Sequence, residues 1–411
     1  MLMSKDIKNA EKSSFAGALH GRRIFIVLGE FHMGGAERQA LLLARYLRDI
    51  GGAHVEVWST RYENGRVSQE CERFGLPWHL SVLKWKPNRF LLLKDLLLFA
   101  FSLRRAKPDV ILPYVTFQNV VSGIAWRWTG AKTCIWSQRE VGVMQLSAKN
   151  ERLAVRKTPL FISNSALGAH YLVETLHADP EAVHIVHNGV DMDAPKDSRT
   201  EWQSRIGWSK EKFYACMIAN FNESKDQITL VRAWRDVVDN QRPGENAVLL
   251  FAGLKDGAYQ QAYEKAYAVV KELNLEEHVL FLGSVDDVSG LLQVVDLGVF
   301  SSHSEGCPNG VLECMAQGLA VVGSDIPGVR EAVGSEYPFL APARDASTFA
   351  RLILQLQRDC NLRHATGKRN LKRIEDDFSP LRLYERTAAL IIKGLRMAGQ
   401  KIPEGSMENK L

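Results

Sequence analysis

Two glutamates eight residues apart, Glu305 and Glu313, carry the residue types that could bind a phosphate between hydroxyl groups. The residues between them form a turn-rich loop and the start of an apolar segment: Gly306, Cys307, Pro308, Asn309, Gly310, Val311 and Leu312. A polar loop that opens a buried helix presents unpaired backbone N–H groups, which suit a phosphate. A carboxylate on either side can accept hydrogen bonds from hydroxyls. A diphosphate flanked by two sugars, one of them ribose, has this layout, so the stretch predicts a nucleotide-sugar site.

The same stretch also has a plainer interpretation. Asn309 can cap the helix, and Glu313 near its start can interact with the helix dipole. Glu305 can be an ordinary loop acid. The spacing of the two acids does not decide between these interpretations, so the surrounding sequence has to.

Composition excludes several classes of protein. The chain has 411 residues, of which 46% are hydrophobic and 24% charged, and a net charge of +5. These values are typical of a globular protein with two domains, and we expect no nucleic-acid partner. The six cysteines form no CxxC pair, which argues against disulfides and a zinc site and favours a reducing compartment. We expect a cytoplasmic protein, because no apolar run reaches the ~18 residues of a membrane span.

Apolar β-rich runs alternate with helical patterns along most of the chain. Strands without polar alternation, separated by helices, predict an α/β fold with parallel sheets covered on both faces. A polar segment at 192–212 interrupts this alternation, which then starts again, so the chain is expected to form two α/β domains. Two such domains would place a ligand between the carboxyl ends of their strands. The predicted boundaries are a flexible leader at 1–20, a first domain at 21–193, a linker at 194–212, a second domain at 213–382, a terminal helix at 383–398 and a flexible tail at 399–411.

Two further sites follow strands and could contact an anion. Gly34 and Gly35 follow the first strand and open a helix, where glycines allow close approach of a phosphate, although a tight turn explains them equally well. Lys225 lies just past the first strand of the second domain and is a compact cation for a phosphate. Asn220 could donate an amide N–H to the same group. The alternative for Lys225 is a solvated surface residue.

Three polar residues end a strand of the first domain, at the edge where open α/β sheets bind ligands. Gln138, Arg139 and Glu140 could face a sugar or an acceptor, or Arg139 and Glu140 could pair with each other. Residues 187–191, with the sequence HNGVD, read as a turn that marks the domain crossing. Residues 82–107 combine Lys and Arg with apolar residues, which fits either an interfacial helix drawn to anionic lipid or, more strongly, a buried helix.

Taken together, these residues resemble a GT-B retaining glycosyltransferase of family 4. The resemblance covers about residues 24–390. The motifs that carry it are GGAERQALLLARYL, HNGVD, IANFNESKDQITLVRAW, the two-glutamate stretch SEGCPNGVLECMAQGLAVVGSD with PGVREAV behind it, and FSPLRLYERTAALI. It implies two Rossmann-like doubly wound domains facing a cleft, with a final helix that returns to the first domain.

The resemblance also implies roles for individual residues. Glu305 would bind hydroxyls of the donor sugar, Glu313 those of the ribose, and Lys225 the diphosphate, helped by N–H groups around Pro308 to Val311. Gly35 would leave room for the diphosphate. Residues around Gly283, Ser284 and Val285 would lie by the base. Many members have an arginine where Asn220 stands and a histidine where Gln138 stands.

The sequence therefore predicts an enzyme that transfers a sugar from a nucleotide-sugar donor to a glycan or lipid-linked saccharide acceptor in cell-surface polysaccharide synthesis. The catalytic candidates are Glu305, Lys225 and Gln138. No metal or other cofactor is expected, because protein cations take the metal's place. The location would be cytoplasmic, with contact at the inner membrane surface as an option. Alternatives are another GT-B enzyme, such as a nucleotide-sugar epimerase or a phosphorylase, and a non-catalytic nucleotide-sugar-binding scaffold.

Overall fold

A computed structural model describes residues 15–29, 34–60, 65–81, 83, 89–140, 142, 148–190 and 194–402. Within these residues the chain packs as two units. One unit holds the chain up to Gly189 together with the chain from Pro380 onward, and the other holds Val190–Ser379. The units divide between Gly189 and Val190, within the HNGVD motif. Each is an α/β layer structure around a parallel sheet, which confirms the predicted fold class.

The described part of the first unit contains a seven-stranded parallel sheet in the order β3-β2-β1-β4-β5-β6-β7. Its strands are β1 (Arg23–Leu28), β2 (His54–Ser59), β3 (Trp78–Leu80), β4 (Val110–Pro113), β5 (Thr133–Gln138), β6 (Leu160–Ser163) and β7 (Val183–Ile185). The strand order reverses between β1 and β4. Along β1, Ile24 and Ile26 enter one hydrophobic core, whereas Phe25 and Val27 enter the other. Both faces of the sheet are therefore covered.

The helices that cover this sheet follow its strands in chain order. They are α1 (Gly35–Asp49), α2 (Arg66–Phe74), α3 (Arg89–Arg105), α4 (Thr116–Thr129), α5 (Ala148–Lys157) and α6 (Ala166–His170), with a π-turn at Tyr171–Thr175 and a 3-10 turn at Pro180–Ala182. The sequence analysis assigned no element to α2 or β3. Strand β3 has three residues, too few for a periodic pattern to stand out.

The second unit repeats this strand order with six described strands, β10-β9-β8-β11-β12-β13, all parallel. They are β8 (Phe213–Ile218), β9 (Ala247–Ala252), β10 (Val279–Gly283), β11 (Leu297–Phe300), β12 (Val321–Ser324) and β13 (Leu340–Ala341). Here the order reverses between β8 and β11. In such sheets ligands bind at the carboxyl ends of the strands on either side of the reversal.

The helices of the second unit begin before its first strand. They are α7 (Arg199–Arg205), α8 (Gln227–Asp239), α9 (Gln260–Glu272), α10 (Val288–Leu292), α11 (Asn309–Ala316), α12 (Pro327–Val333), α13 (Ala346–Arg358) and α14 (Cys360–Asp377), with a 3-10 turn at Gly257–Tyr259.

Helix α7 lies in the segment interpreted as a linker, and it packs into the second unit. Trp202 is buried, and its indole N–H donates to Oδ2 of Asp287 at 2.8 Å. The backbone N–H groups of Lys196 and Asp197 donate to the same carboxylate, each at 3.1 Å. Asp287 thus fixes the chain that leads into β8.

The last helix, α15 (Pro380–Met397), belongs to the first unit. Its residues Leu390, Ile391 and Leu395 enter the same hydrophobic core as Ile24 and Ile26. The ring of Tyr384 stacks on that of Tyr46 in α1, with 4.8 Å between ring centroids. Burial of this apolar face explains why the sequence forms a helix here rather than a tail.

Candidate active site

The loop between β8 and α8 holds Lys225 in a fixed turn. Oδ1 of Asn222 accepts hydrogen bonds from the backbone N–H of Ser224 at 3.0 Å and of Lys225 at 3.1 Å. Asp226 then caps α8, because its carboxylate accepts from the N–H of Thr229 at 3.2 Å. Asparagine and aspartate favour these two conformations through such side-chain to backbone bonds. The local sequence therefore presents Lys225 at the carboxyl end of β8.

Lys225 and Glu305 form an ion pair. The Lys225 ammonium donates to Oε1 of Glu305, and the two side chains are only 16% and 12% exposed. The ammonium also lies 4.9 Å from the ring centroid of Phe300 in β11. The plainer interpretation of Lys225 as a solvated surface residue does not describe this geometry.

Ser302 joins the two loops that carry this pair. Its hydroxyl lies 2.8 Å from Oε1 of Glu305 and 2.7 Å from the carbonyl oxygen of Ser224, so one proton serves two acceptors. An isolated antiparallel bridge also pairs Ser302 with Lys225. Oε1 of Glu305 is thereby anchored, whereas among the described residues Oε2 makes no hydrogen bond. Sequence reasoning missed Ser302, although its place directly after β11 and three residues before Glu305 is a usable signal.

Helix α11 begins against the end of β8. A Cβ on Gly310 would lie 2.1 Å from the carbonyl oxygen of Ile218, so only glycine permits this approach. The helix starts after Pro308, which makes no side-chain capping bond, and Asn309 is its first residue rather than its cap. Val311 is buried in the core, and its backbone N–H donates to the carbonyl oxygen of Pro308 at 3.1 Å. The start of α11 thus adjoins the loop that carries Lys225.

Glu313 lies one turn into α11 and is half-buried. Glu313 lies near Cys216 in β8. The pKa of the Cys216 thiol is raised mainly by burial, and further by the nearby Cys314 and Glu313. Gly306 and Cys307 are half-buried in the loop before the helix. A Cβ on Gly328 at the start of α12 would lie 2.2 Å from the carbonyl oxygen of Glu305. Helix α12 therefore packs directly against the loop that carries Glu305.

Asn220 and the residues after β10 lie along the same edge of this sheet. Oδ1 of Asn220 accepts from the backbone N–H of Leu254 at 2.9 Å, which ties the loop after β8 to the loop after β9. Ser284 is exposed and Val285 half-buried just past β10. Two strand spacings separate β10 from β8, or about 10 Å.

In the first unit, Gln138 is buried at the end of β5, with 1% of its surface exposed. Its Oε1 accepts from the indole N–H of Trp136 at 2.8 Å, and its amide nitrogen donates to the carbonyl oxygen of Glu140 at 2.7 Å. Both ends of the amide therefore have protein partners. In this arrangement Gln138 holds the loop after β5.

Arg139 bonds to a residue of another loop, and Glu140 bonds to the first residue of α4. The guanidinium of Arg139 donates to Oδ1 of Asn188 at 3.0 Å and lies 4.7 Å from the ring centroid of Tyr114. Glu140 accepts from the hydroxyl of Thr116 at 3.0 Å. Burial raises the pKa of Glu140, and the hydrogen bond from Thr116 opposes that change. The two residues lie at the carboxyl edge of the first sheet, as expected.

The backbone just before Thr116 is strained. Val115 has φ 61° and ψ 165°, a conformation that β-branched residues rarely adopt. Strain of this kind concentrates at functional sites. The sequence analysis did not identify Val115 or Thr116.

Gly34 precedes α1, and Gly35 is the first residue of that helix. A Cβ on Gly34 would lie 2.7 Å from Oε2 of Glu37. Residues 30–33, just before these glycines, are outside the described residues. At these glycines the structure therefore describes only the helix side.

In the part of the chain that the structure describes, no group of three or more His, Cys, Asp or Glu residues could hold a metal ion. In the same part, no helix is long and apolar enough to cross a bilayer.

Two family models together match most of the chain. The model for Glycosyltransferase Family 4 matches residues 33–194, and the model for Glycosyl transferases group 1 matches residues 198–373. The first match spans most of the first unit and the second most of the second unit.

Two curated relatives share between a fifth and a third of their residues with this chain over the matched lengths. The chain is 22% identical to the UDP-Gal:alpha-D-GlcNAc-diphosphoundecaprenol alpha-1,3-galactosyltransferase of Escherichia coli, over 65% of this chain and 71% of that protein. It is 27% identical to the N-acetyl-alpha-D-glucosaminyl L-malate synthase of Bacillus anthracis, over 51% of this chain and 54% of that protein. The chain thus spans about half the length of the second relative.

Among solved structures, Anabaena Alr3699/HepE in complex with UDP-glucose is similar, with a TM-score of 0.76 and 19% identity, covering 91% of this chain and 99% of that one. WaaG, a glycosyltransferase involved in lipopolysaccharide biosynthesis, has a TM-score of 0.66. These likenesses confirm the predicted GT-B fold.

Proposed function

Because this chain belongs to glycosyltransferase family 4, as the two family models matched along it indicate, we propose that it is a retaining transferase that moves a sugar from a nucleotide-diphosphate-sugar donor to a glycan or lipid-linked saccharide acceptor. The Escherichia coli relative is named for a UDP-sugar donor and a diphosphoundecaprenol-linked acceptor. That name supports the lipid-linked class of acceptor and a role in cell-surface polysaccharide synthesis.

The observation that carries the proposal is the Lys225–Glu305 pair at the reversal point of the second sheet. Lys225 follows β8 and Glu305 follows β11, the two strands between which the order reverses. The start of α11, where Pro308 makes no side-chain capping bond, adjoins the end of β8. A cation, a helix N-terminus and a carboxylate at one sheet edge fit a diphosphate that is attached to a sugar.

Charge development explains how these groups would act. Transfer breaks the bond between the anomeric carbon and the diphosphate oxygen and forms a bond from that carbon to an acceptor oxygen. Negative charge builds on the leaving diphosphate, where Lys225 and the N–H groups of α11 stabilise it; electrostatic stabilisation of this kind is often the largest catalytic effect. The leaving oxygen takes the acceptor's proton on the same face of the sugar, which gives retention.

The second unit would bind the rest of the donor. Oε2 of Glu305 accepts from sugar hydroxyls, since Oε1 is held by Lys225 and Ser302. Glu313 accepts from the ribose. The base lies towards Ser284 and Val285, because about 10 Å of sheet edge matches the length of a nucleoside.

The first unit would contribute the acceptor side. Arg139 and Glu140 offer a cation and a carboxyl to acceptor hydroxyls, and Gly34 and Gly35 at the start of α1 allow a phosphate to approach the backbone closely. Gln138 acts through the loop it holds, because both ends of its amide are engaged.

We further propose that transfer needs no metal ion and takes place in the cytoplasm. Lys225 and the start of α11 supply the positive charge that a divalent cation would otherwise bring to the diphosphate. Chelation with EDTA is then expected to leave the rate unchanged.

The test is a transfer assay with purified protein, UDP-, GDP- and ADP-sugars, and an extract of lipid-linked saccharides. We expect release of one nucleoside diphosphate together with a glycosylated product that keeps the donor's anomeric configuration by NMR. Binding of a nucleotide without turnover on any acceptor would instead support a non-catalytic scaffold. Conversion of the free donor to its epimer would support an epimerase.

A further inference from the structure

Helix α3 of the first unit is apolar on two opposite faces. Leu96, Phe99 and Leu103 are buried in the core below the sheet. Phe90 and Phe101, on the other side, are 85% and 59% exposed. The sequence-based choice between a buried and an interfacial helix was thus incomplete, because one face is buried and the other is open.

Five exposed residues line one face of α3, and the exposed side chains of Leu91 and Leu93 flank it. Phe90, Lys94, Leu97, Leu98 and Phe101 are exposed and recur at the three- and four-residue intervals that align along a helix. Exposed apolar residues that stand singly need no explanation, but a contiguous patch of this kind marks a binding surface. We call these five residues the α3 face.

Positive charge surrounds the α3 face. The helix carries four basic residues and one acid. At its C-terminal end the guanidinium of Arg104 donates to the carbonyl oxygen of Trp128 at 3.1 Å, which brings the end of α4 alongside. Further exposed basic residues there are Arg105, Lys107, Arg127 and Lys132.

The acids nearby do not cancel this charge. Oδ2 of Asp95, the acid of the helix, is buried, which turns it away from the α3 face. Oδ2 of Asp109, between α3 and β4, accepts from the backbone N–H of Arg23 at 2.9 Å. The surface that the α3 face presents is therefore apolar with a basic rim.

We propose that the α3 face binds the surface of an anionic lipid bilayer, with α3 lying in the plane of the interface. Phe90, Leu97, Leu98 and Phe101 enter the boundary of the acyl chains, and the basic side chains contact the headgroups. The position of Lys94 favours lipid over a protein partner. Lysine is depleted from the centres of protein interfaces, whereas its long stem can lie along apolar surface and extend its ammonium to the headgroups.

Vesicle flotation with the full chain tests this surface. Vesicles of phosphatidylcholine are compared with vesicles that also contain phosphatidylglycerol. We expect binding to the anionic vesicles that weakens as salt is raised. Phe90→Ser with Phe101→Ser should lower the partition coefficient roughly tenfold or more. Lys94→Glu with Arg105→Glu should lower it by a similar factor.

Matched changes elsewhere control for general effects. Met397→Ser replaces an apolar residue of 60% exposure at the end of α15, and Arg351→Glu with Lys372→Glu reverses two exposed charges of the second unit. These controls should float like the unchanged protein, and thermal melting should show that every variant folds. Absence of flotation with anionic vesicles, or equal loss in the controls, would overturn the proposal. So would a dimer in solution that the α3 substitutions dissociate, since the face would then bind a second copy.

Discussion

The ammonium of Lys225 donates a hydrogen bond to Oε1 of Glu305, a residue 80 positions further along the chain, and both side chains are largely buried. The pair joins the loops that follow β8 and β11, where the strand order of the second sheet reverses. The cation proposed for the diphosphate and the carboxylate proposed for the sugar therefore adjoin each other, as neighbouring groups of one donor require.

Removing either partner should abolish most transfer. We expect Lys225→Ala and Glu305→Ala each to lower kcat/KM by about 100-fold or more, since each removes a charge aimed at the reacting bond. Lys271→Ala and Glu276→Ala are exposed controls of the same residue types and should retain full activity. Steady-state kinetics measures the effect, and near-normal turnover in both site variants would refute the assignment.

Gly310→Ala should weaken donor binding without removing a chemical group. The new Cβ would meet the carbonyl oxygen of Ile218 at 2.1 Å, so the start of α11 must move away from β8. Such overpacking costs about 1–3 kcal/mol of stability, and nucleotide affinity should fall as well. Chemical denaturation and calorimetric titration measure the two effects. Gln317→Ala, at the other end of α11, should leave affinity unchanged; an equal loss there would show that the helix start has no special role.

Asp287→Asn should make the second unit less stable at neutral pH. Burial alone would raise the pKa of Asp287, but hydrogen bonds from Trp202 and from the N–H groups of Asp197, Lys196 and Gly290 lower it overall. The stability that this carboxylate contributes is present above the ordinary aspartate pKa and is lost as pH falls through the lowered value. We expect a loss of about 1–3 kcal/mol at pH 7 that shrinks in acid. Urea unfolding across pH measures it, with exposed Asp256→Asn as control, and a loss independent of pH would contradict the linkage.

Much of this architecture is predictable from the sequence. The strands are continuous apolar runs, so the parallel sheets and most helices follow from pattern alone, and the two-glutamate stretch marks the part of the second unit that we propose binds the donor. Other features depend on tertiary contacts. Ser302 matters because its hydroxyl also bonds to the carbonyl oxygen of Ser224, which lies 78 residues earlier in the chain. Gln138 looks like a ligand-facing residue until its two amide partners are known. For α3 the sequence offers a buried or an interfacial helix but does not show which side chains are exposed, because the two faces of the helix are similarly apolar.

Glu140→Gln should stabilise the first unit increasingly as pH rises. Burial raises the pKa of Glu140, against the hydrogen bond from Thr116. A carboxyl group whose pKa is higher in the folded protein than in the unfolded chain stabilises the fold fully below the ordinary glutamate pKa. That stability is lost as pH rises through the higher pKa of the folded protein. The glutamine variant avoids that loss. Comparing unfolding free energies from acid to neutral pH tests the sign, and a constant difference between the two proteins would show that Glu140 does not titrate as expected.

The most direct test of the donor site is thermal melting of the purified protein with UDP, GDP and ADP. A ligand that binds only the folded state raises the melting temperature by mass action. We predict that one nucleoside diphosphate stabilises the unchanged protein, and that Lys225→Met removes most of this shift while Lys271→Met, at an exposed lysine, keeps it. If no nucleotide stabilises the protein, or if the Lys225 variant is stabilised as strongly as the parent, the site at the end of β8 and β11 does not bind the donor diphosphate.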